Sequence, residues 1–146
     1  MELVVKTFEE LTNGELYEIL KARTEIFVVE QSCLYNDLDG LDKDSLHVFI
    51  NYEGAIAAYL RVIPKGVCCD TVKIGRVITV RRGEGFGAKV MAAGLAAAKE
   101  RLNADIVTIS AQTHAVGFYE KCGFKTVSDV YMEEGIPHVK MVCDLK

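Results

Sequence analysis

The 146-residue chain has the length of one ordinary domain, and half of its residues are apolar, enough to build a core. Its net charge of −4 and pI of about 5.4, with no basic run, argue against nucleic acid as a partner, because neutralising phosphates takes clustered Lys and Arg. Met1–Lys6 lacks the pattern of a signal peptide and no apolar segment is of bilayer length, so one soluble, cytoplasmic domain over 1–146 is expected.

The cysteines, Cys33, Cys68, Cys69, Cys122 and Cys143, follow no Cys-x-x-Cys spacing. Reduced thiols are therefore expected, with neither a disulfide framework nor a metal site.

In chain order, Leu3–Phe8 reads as a first strand, and Thr12-Asn13-Gly14-Glu15 as the capping box of a helix. Leu16, Ile19, Leu20, Arg23 and Phe27 follow at helical spacing, which places an apolar face on a sheet with Arg23 at its margin. The run Ile26–Val29 is closed by Glu30 and Gln31, polar residues that a core would not want. From Ser32 to Ser45 periodicity is lost, and Asp37, Asp39, Asp42 and Asp44 surround Gly40. A calcium loop counted from Asp37 fails, having Asp42 in the glycine place and Val48 in the glutamate place. A solvated acidic loop is expected there.

His47–Ile50 and Ala55–Ile63, joined through Asn51–Gly54, form a hairpin, and Val72–Val80, rich in β-branched residues, extends it. Arg82-Gly83-Glu84-Gly85-Phe86-Gly87-Ala88 comes next, and Lys89–Arg101, rich in Ala, Leu and Met, is a helix. A strand, a glycine turn and a helix make a phosphate cradle: the glycines permit positive φ, and the helix N-terminus supplies amides and partial positive charge. Gly83–Ala88 also fits the dinucleotide fingerprint with alanine last. The acid which that fingerprint needs at the end of the following strand is missing, since Asp105 stands at its start. A nucleoside-triphosphate loop is excluded because no Gly-Lys-Ser/Thr follows the glycines, and a glycine turn without ligand stays open.

Asp105–Ser110 reads as a buried strand, Gln112–Cys122 as a helix stopped at Gly123, and Gly123–Val127 and His138–Cys143 as the last strands. In Phe118-Tyr119-Glu120-Lys121-Cys122-Gly123-Phe124, the two phenylalanines suit core packing. Tyr119 can lend a proton.

With both motifs in this order the chain resembles the GNAT N-acetyltransferase family, in which a Gln/Arg-x-x-Gly-x-Gly/Ala loop holds the cofactor and a Phe-Tyr-x-x-x-Gly-Phe segment borders its thiol. Phe27–Gln31, Asp37–Gly40, Ile74–Val77, Ala111-Gln112 and Glu134–His138 resemble its ElaA-like branch. One departure is a stretch between Val77 and Arg82 about two residues shorter than the family pattern and lacking its proline, so the approach to the cradle is expected to be tight.

The resemblance implies an α+β fold, a mixed, mostly antiparallel sheet of six to seven strands with helices on both faces. It implies acetyl transfer from acetyl-CoA to a primary amine, of a small molecule or a peptide, by direct attack in a ternary complex. A sensor that binds acetyl-CoA without turnover is the alternative, and a homodimer is left open. Carried onto this chain, the cofactor residues are Ile78, Val80, Arg82, Gly83, Gly85, Phe86, Gly87, Ala88 and Phe118, with a backbone N–H near Val80 polarising the thioester.

Tyr119, protonated at neutral pH, is the candidate general acid. A lysine-like amine is free base in only roughly one molecule in a few thousand at pH 7, so a proton acceptor is needed, and Glu30 and His47 are the candidates. Gln31 is placed on the substrate side with His47, and His138 at a strand edge or a substrate lip, without a role.

Overall fold

The computed structural model describes residues 1–31 and 36–146. Cys33 lies outside them. Eight strands form one sheet: β1 (Glu2–Thr7), β2 (Leu46–Tyr52), β3 (Ala55–Ile63), β4 (Val72–Thr79), β5 (Ile106–Gln112), β6 (Lys125–Thr126), β7 (Tyr131–Glu133) and β8 (Ile136–Asp144). The order is β1-β2-β3-β4-β5-β8-β6, with β7 also on β8, and among the described residues only the β4–β5 pair is parallel. The two strands of two and three residues, β6 and β7, bring the total above the expected six to seven.

The β2–β3 hairpin turns on Glu53 and Gly54, both with positive φ, the geometry of a two-residue turn whose twist matches its strands. Helix α1 (Asn13–Arg23) opens on the expected capping box: Glu15 N–H donates to Thr12 Oγ1 at 3.0 Å, and Thr12 N–H donates to Glu15 Oε1 at 2.9 Å. Instead of continuing as α-helix, the chain widens into a π-helix over Thr24–Glu30, and Gln31 N–H reaches back to the Ile26 carbonyl at 3.1 Å.

The period-2 alternation of β2 and β3 sorts the core into two layers. Val48, Ile50, Leu60 and Val62 face helix α2 (Phe86–Leu102), while Phe49 and Tyr59 face α1 through Ile19 and Ala22. Gly94 lets α2 sit close on β3, since a Cβ there would meet Leu60 Cδ1 at 2.9 Å.

Strand β4 breaks this alternation. Its pairing with β3 runs Tyr59↔Ile78 and then Arg61↔Gly75, so Arg76 and Val77 stand opposite Leu60 alone, and Arg76 has φ of +51°. The extra residue of this bulge reverses the side-chain parity. Ile74 therefore packs in the α2 layer and Ile78 in the α1 layer, although they stand four positions apart.

The acidic loop is only partly solvated: Asp39 and Asp44 are exposed, but Asp37 and Asp42 are buried. Arg23, expected at a margin, is wholly buried, with Nε donating to Asp37 Oδ2 at 3.0 Å and Nη1 to Asp42 Oδ1 at 2.7 Å. Arg61 reaches Asp39 and Asp42, and Arg76 reaches Asp37 and Asp39. Burial alone pushes the Asp39 and Asp42 carboxyls up, but hydrogen bonds and charge from the arginines outweigh it and hold both below the ordinary carboxylate range. A loop of lost periodicity thus locks α1 to β3 and to the bulge of β4.

Candidate active site

After Val72↔Val107 and Lys73↔Thr108, β4 and β5 pair no further and spread apart. The wedge between them opens into a cleft of about 560 Å³. Ile74–Thr79 form one wall and Ser110 and Gln112 the other; the π-helix contributes Phe27, Glu30 and Gln31, helix α3 (Val116–Lys121) Tyr119, and the β7–β8 hairpin Glu133 and His138. Ile78, an expected cofactor residue, is buried in the β4 wall.

Arg82 and Thr79 carry this wall into the cradle. Gly83 and Gly85 both have φ of +80°, and nothing lies within 4 Å of where a Cβ would stand on either. Gly85 is the N-cap of α2 and provides no side-chain cap. The helical ladder begins with Lys89 N–H donating to the Gly85 carbonyl at 3.2 Å, and no described residue accepts from the amides of residues 83 to 88. These amides gather at the positive end of a 17-residue helix, which is the physical description of an anion site.

Phe86 contributes to this site through its backbone only, since its ring is buried against Tyr52 at 5.2 Å. Ala88 is exposed on the first turn. Gly87 is required by packing: a Cβ there would lie 2.9 Å from Thr79 Oγ1 and 3.4 Å from Phe118 Cζ. Phe118 thus abuts the cradle and meets Tyr119 edge-on at 5.2 Å.

Tyr119 lines the cleft, and burial pushes its phenol up to about 12. No described residue hydrogen-bonds its hydroxyl, so the proton is held and unspent. Gly123, with φ of +102°, ends the helix as expected, and the amides of Cys122 and Phe124 both return to the Tyr119 carbonyl.

Across the cleft, Arg82 Nη2 donates to Glu30 Oε1 at 2.7 Å, an ion pair half exposed at the mouth. Gln112 Nε2 donates to Gln31 Oε1 at 3.3 Å, and its Oε1 accepts from His114 Nε2 at 2.6 Å. His114 follows directly on β5, and sequence reasoning passed over it. It also gave His138 no role and passed over its neighbours Ser110, Tyr131 and Glu133 in the β7–β8 cluster. There the Tyr131 hydroxyl donates to Ser110 Oγ, Ser110 Oγ donates to Glu133 Oε1 at 3.2 Å, and Glu133 Oε2 lies 3.5 Å from His138 Nε2. The glutamate and tyrosine come from a three-residue strand that no periodicity announces.

Two expectations are corrected. His47 is wholly buried away from the cleft, its Nε2 donating to the Asp42 carbonyl at 2.8 Å and its Nδ1 accepting from the Tyr59 hydroxyl at 2.8 Å. Desolvation pushes its pKa down and keeps it neutral, so it braces the loop and neither takes a substrate proton nor borders a substrate. The Val80 N–H is also unavailable to a thioester: it and the Arg81 N–H both donate to the Ala57 carbonyl, at 2.8 and 3.0 Å, which is how the shortened approach is fastened. Among the described residues no group of three or more metal-binding side chains gathers, and no helix is long and apolar enough to cross a membrane.

A splayed β4–β5 pair, a bulged β4 and a glycine cradle at a helix N-terminus define an acyltransferase of the acetyltransferase (GNAT) class. The chain belongs to that family: the model of the acetyltransferase (GNAT) domain matches residues 11–145. It is 38% identical over 136 residues to Protein ElaA of Escherichia coli, spanning 90% of this chain and 89% of that one. Among solved structures, that of Escherichia coli ElaA superposes with a TM-score of 0.91 at 35% identity, covering 98% of this chain and 99% of the other. That of an acyl-CoA N-acyltransferase from Pseudomonas aeruginosa superposes with a TM-score of 0.90 at 38% identity and the same coverage. The fold is the GNAT fold, and the protein is a GNAT-type N-acetyltransferase.

Proposed function

We propose that the protein moves an acetyl group from acetyl-CoA to a primary amine by direct attack within a ternary complex. The observation that carries this reading is the row of amides from 83 to 88 without acceptors among the described residues, set at the N-terminus of α2 beside Arg82. A diphosphate supplies the acceptors those amides need and the negative charge the helix end favours. From there a pantetheine arm runs down the wedge past Val80, Phe118 and Ile78, where its amides add to the free edges of β4 and β5 as a surrogate strand.

The thioester then lies between the Arg76–Val77 bulge and Tyr119. The bulge is where the β4 main chain leaves the β3 ladder, which makes it the place for the oxyanion donor in the stead of the Val80 amide. One such fixed donor contributes about 3 kcal/mol to the transition state. Tyr119 gives its proton to the departing sulfur. Its phenol is a weak acid in this cleft, but the same desolvation raises the proton affinity of the thiolate.

Glu30, Glu133 and Glu134 line the cleft, which suits an acceptor that arrives as a cation, whether a small amine or a peptide amine. When the diphosphate takes Arg82, the Glu30 carboxylate is released to meet that ammonium. The reading is tested by calorimetry with acetyl-CoA and with NAD, combined with thiol release from acetyl-CoA in the presence of spermidine, phenethylamine and a peptide with a free N-terminus. Binding of acetyl-CoA alone, with amine-dependent thiol release, is the expected result. Binding without release from any amine makes the protein a sensor.

A further inference from the structure

The ammonium of the acceptor has to lose a proton before it attacks, and the basic side chains at the cleft are mostly committed. Glu30, once the diphosphate takes Arg82, stands half exposed at the mouth, where it meets the arriving ammonium; His114 is exposed with Nε2 donating to Gln112, and His47, Asp37 and Asp39 are held in the loop cluster outside the cleft lining. His138 differs. Its ring is buried in the cleft wall and stacks on Tyr131 at 6.2 Å, at the register position where β8 faces Gln112 of β5 and Tyr131 of β7.

Its hydrogen bonds decide its tautomer. Nδ1 lies 2.7 Å from the Ile136 carbonyl, which only accepts, so Nδ1 carries the hydrogen and Nε2 of the neutral ring keeps a lone pair. Glu133 Oε2 stands 3.5 Å from that nitrogen, with its other oxygen held by Ser110 and Ser110 in turn by Tyr131. An unprotonated nitrogen facing a fixed carboxylate is a place where an arriving proton gains two partners. The Ile136 carbonyl on Nδ1 is the orienter that fixes the tautomer, and Glu133, on the side of Nε2, stabilises the imidazolium that forms.

We propose that His138 Nε2, backed by Glu133, is the proton acceptor for the attacking amine. The assignment rests on the acyl-transfer reading above. The ammonium gives one proton to Nε2, which passes it to water. The freed nitrogen lone pair bonds to the thioester carbon and the carbonyl electrons move onto oxygen. Nε2 takes the second N–H proton from this adduct; the carbonyl re-forms, the C–S bond breaks with its electron pair on sulfur, and sulfur takes the Tyr119 proton. The proton on His138 returns to Tyr119 through water, so ammonium and thioester become amide, thiol and one proton released.

The test compares the parent, His138→Ala and Glu133→Gln for thiol release from acetyl-CoA with the amines named above. For His138→Ala the expected result is a kcat about 100-fold or more lower, the contribution of a positioned base. Acetyl-CoA affinity by calorimetry stays within about twofold, and added imidazole restores part of kcat over an enzyme-free blank. Glu133→Gln lowers kcat about tenfold with the same affinity for acetyl-CoA. Parent-like kcat in His138→Ala, or a loss that imidazole leaves untouched, overturns the assignment while acyl transfer stands. If His138→Ala does not fold, Glu133→Gln decides: parental kcat overturns it. A parent that binds acetyl-CoA and releases no thiol with any of the amines overturns the acyl-transfer reading and this assignment with it.

Discussion

Arg82 and Glu30, 52 positions apart in the chain, meet at 2.7 Å and tie the cofactor cradle to the π-helix across the mouth of the cleft. With both side chains half exposed, the pair adds little to stability, on the order of 0–1 kcal/mol. Its consequence is competition for one guanidinium. Arg82→Ala is expected to weaken acetyl-CoA binding about tenfold, whereas Glu30→Gln binds it as well as the parent or better. Calorimetry on the two variants checks this, and weaker binding by Glu30→Gln would refute the competition.

Tyr119→Phe keeps the ring contacts with Phe118 and Phe124 and removes only the hydroxyl. Turnover is expected to fall by about 10²-fold, the scale of a lost general acid, with acetyl-CoA affinity nearly intact. Parental turnover in steady-state assays would make Tyr119 a packing residue.

Gly85→Val places a β-branched residue at φ of +80° on the N-cap of α2. No neighbour obstructs the new side chain, so the cost is backbone strain of order 1–3 kcal/mol, together with a side chain where the diphosphate lies. Acetyl-CoA binding is expected to be lost while thermal unfolding stays cooperative. Retained binding in calorimetry would remove the cradle from the site.

Asp42 accepts from Arg23 at 2.7 Å and from Arg61 at 3.1 Å, both guanidiniums being buried. Asp42→Ala leaves Arg23 with Asp37 and Arg61 with Asp39 but removes the carboxylate they share, so a loss of about 1–3 kcal/mol is expected in denaturant unfolding. A loss under 1 kcal/mol would mean that the cluster relaxes into water.

The pH dependence of stability follows from the same cluster. Folded His47 is held below the ordinary histidine range by burial, and Asp39 and Asp42 below the carboxylate range because their arginine partners outweigh burial. In all three the unfolded chain binds the proton first as pH falls, so the stability is present at higher pH and lost on acidification. Melting temperature is expected to begin falling below about pH 6.5, from His47, and to fall again below about pH 4, from the two aspartates. Thermal scans of the parent and His47→Gln check this, the first step being absent in the variant.

The sequence by itself determined the parts that are contiguous: the capping box at Thr12, the hairpin turning within Asn51–Gly54, the glycine cradle and the Phe118–Phe124 segment with its Gly123 stop. Each of these is specified by neighbours within a few positions, where hydrogen bonding and φ preferences act. The tertiary structure decided what depends on distant partners. Whether Asp37 and Asp42 face water or Arg23 turns on residues 14 and 19 positions away. The bulge at Arg76 is invisible in a β-branched run, because an extra residue in one strand has meaning only against the strand it pairs with. His138 and Glu133 likewise gain their relation from the pairing of β7 with β8, and Ser110 joins them from the edge of β5. Local chemistry marks where a diphosphate can be held. The sheet's register decides which carboxylate, imidazole and phenol share the cleft with it.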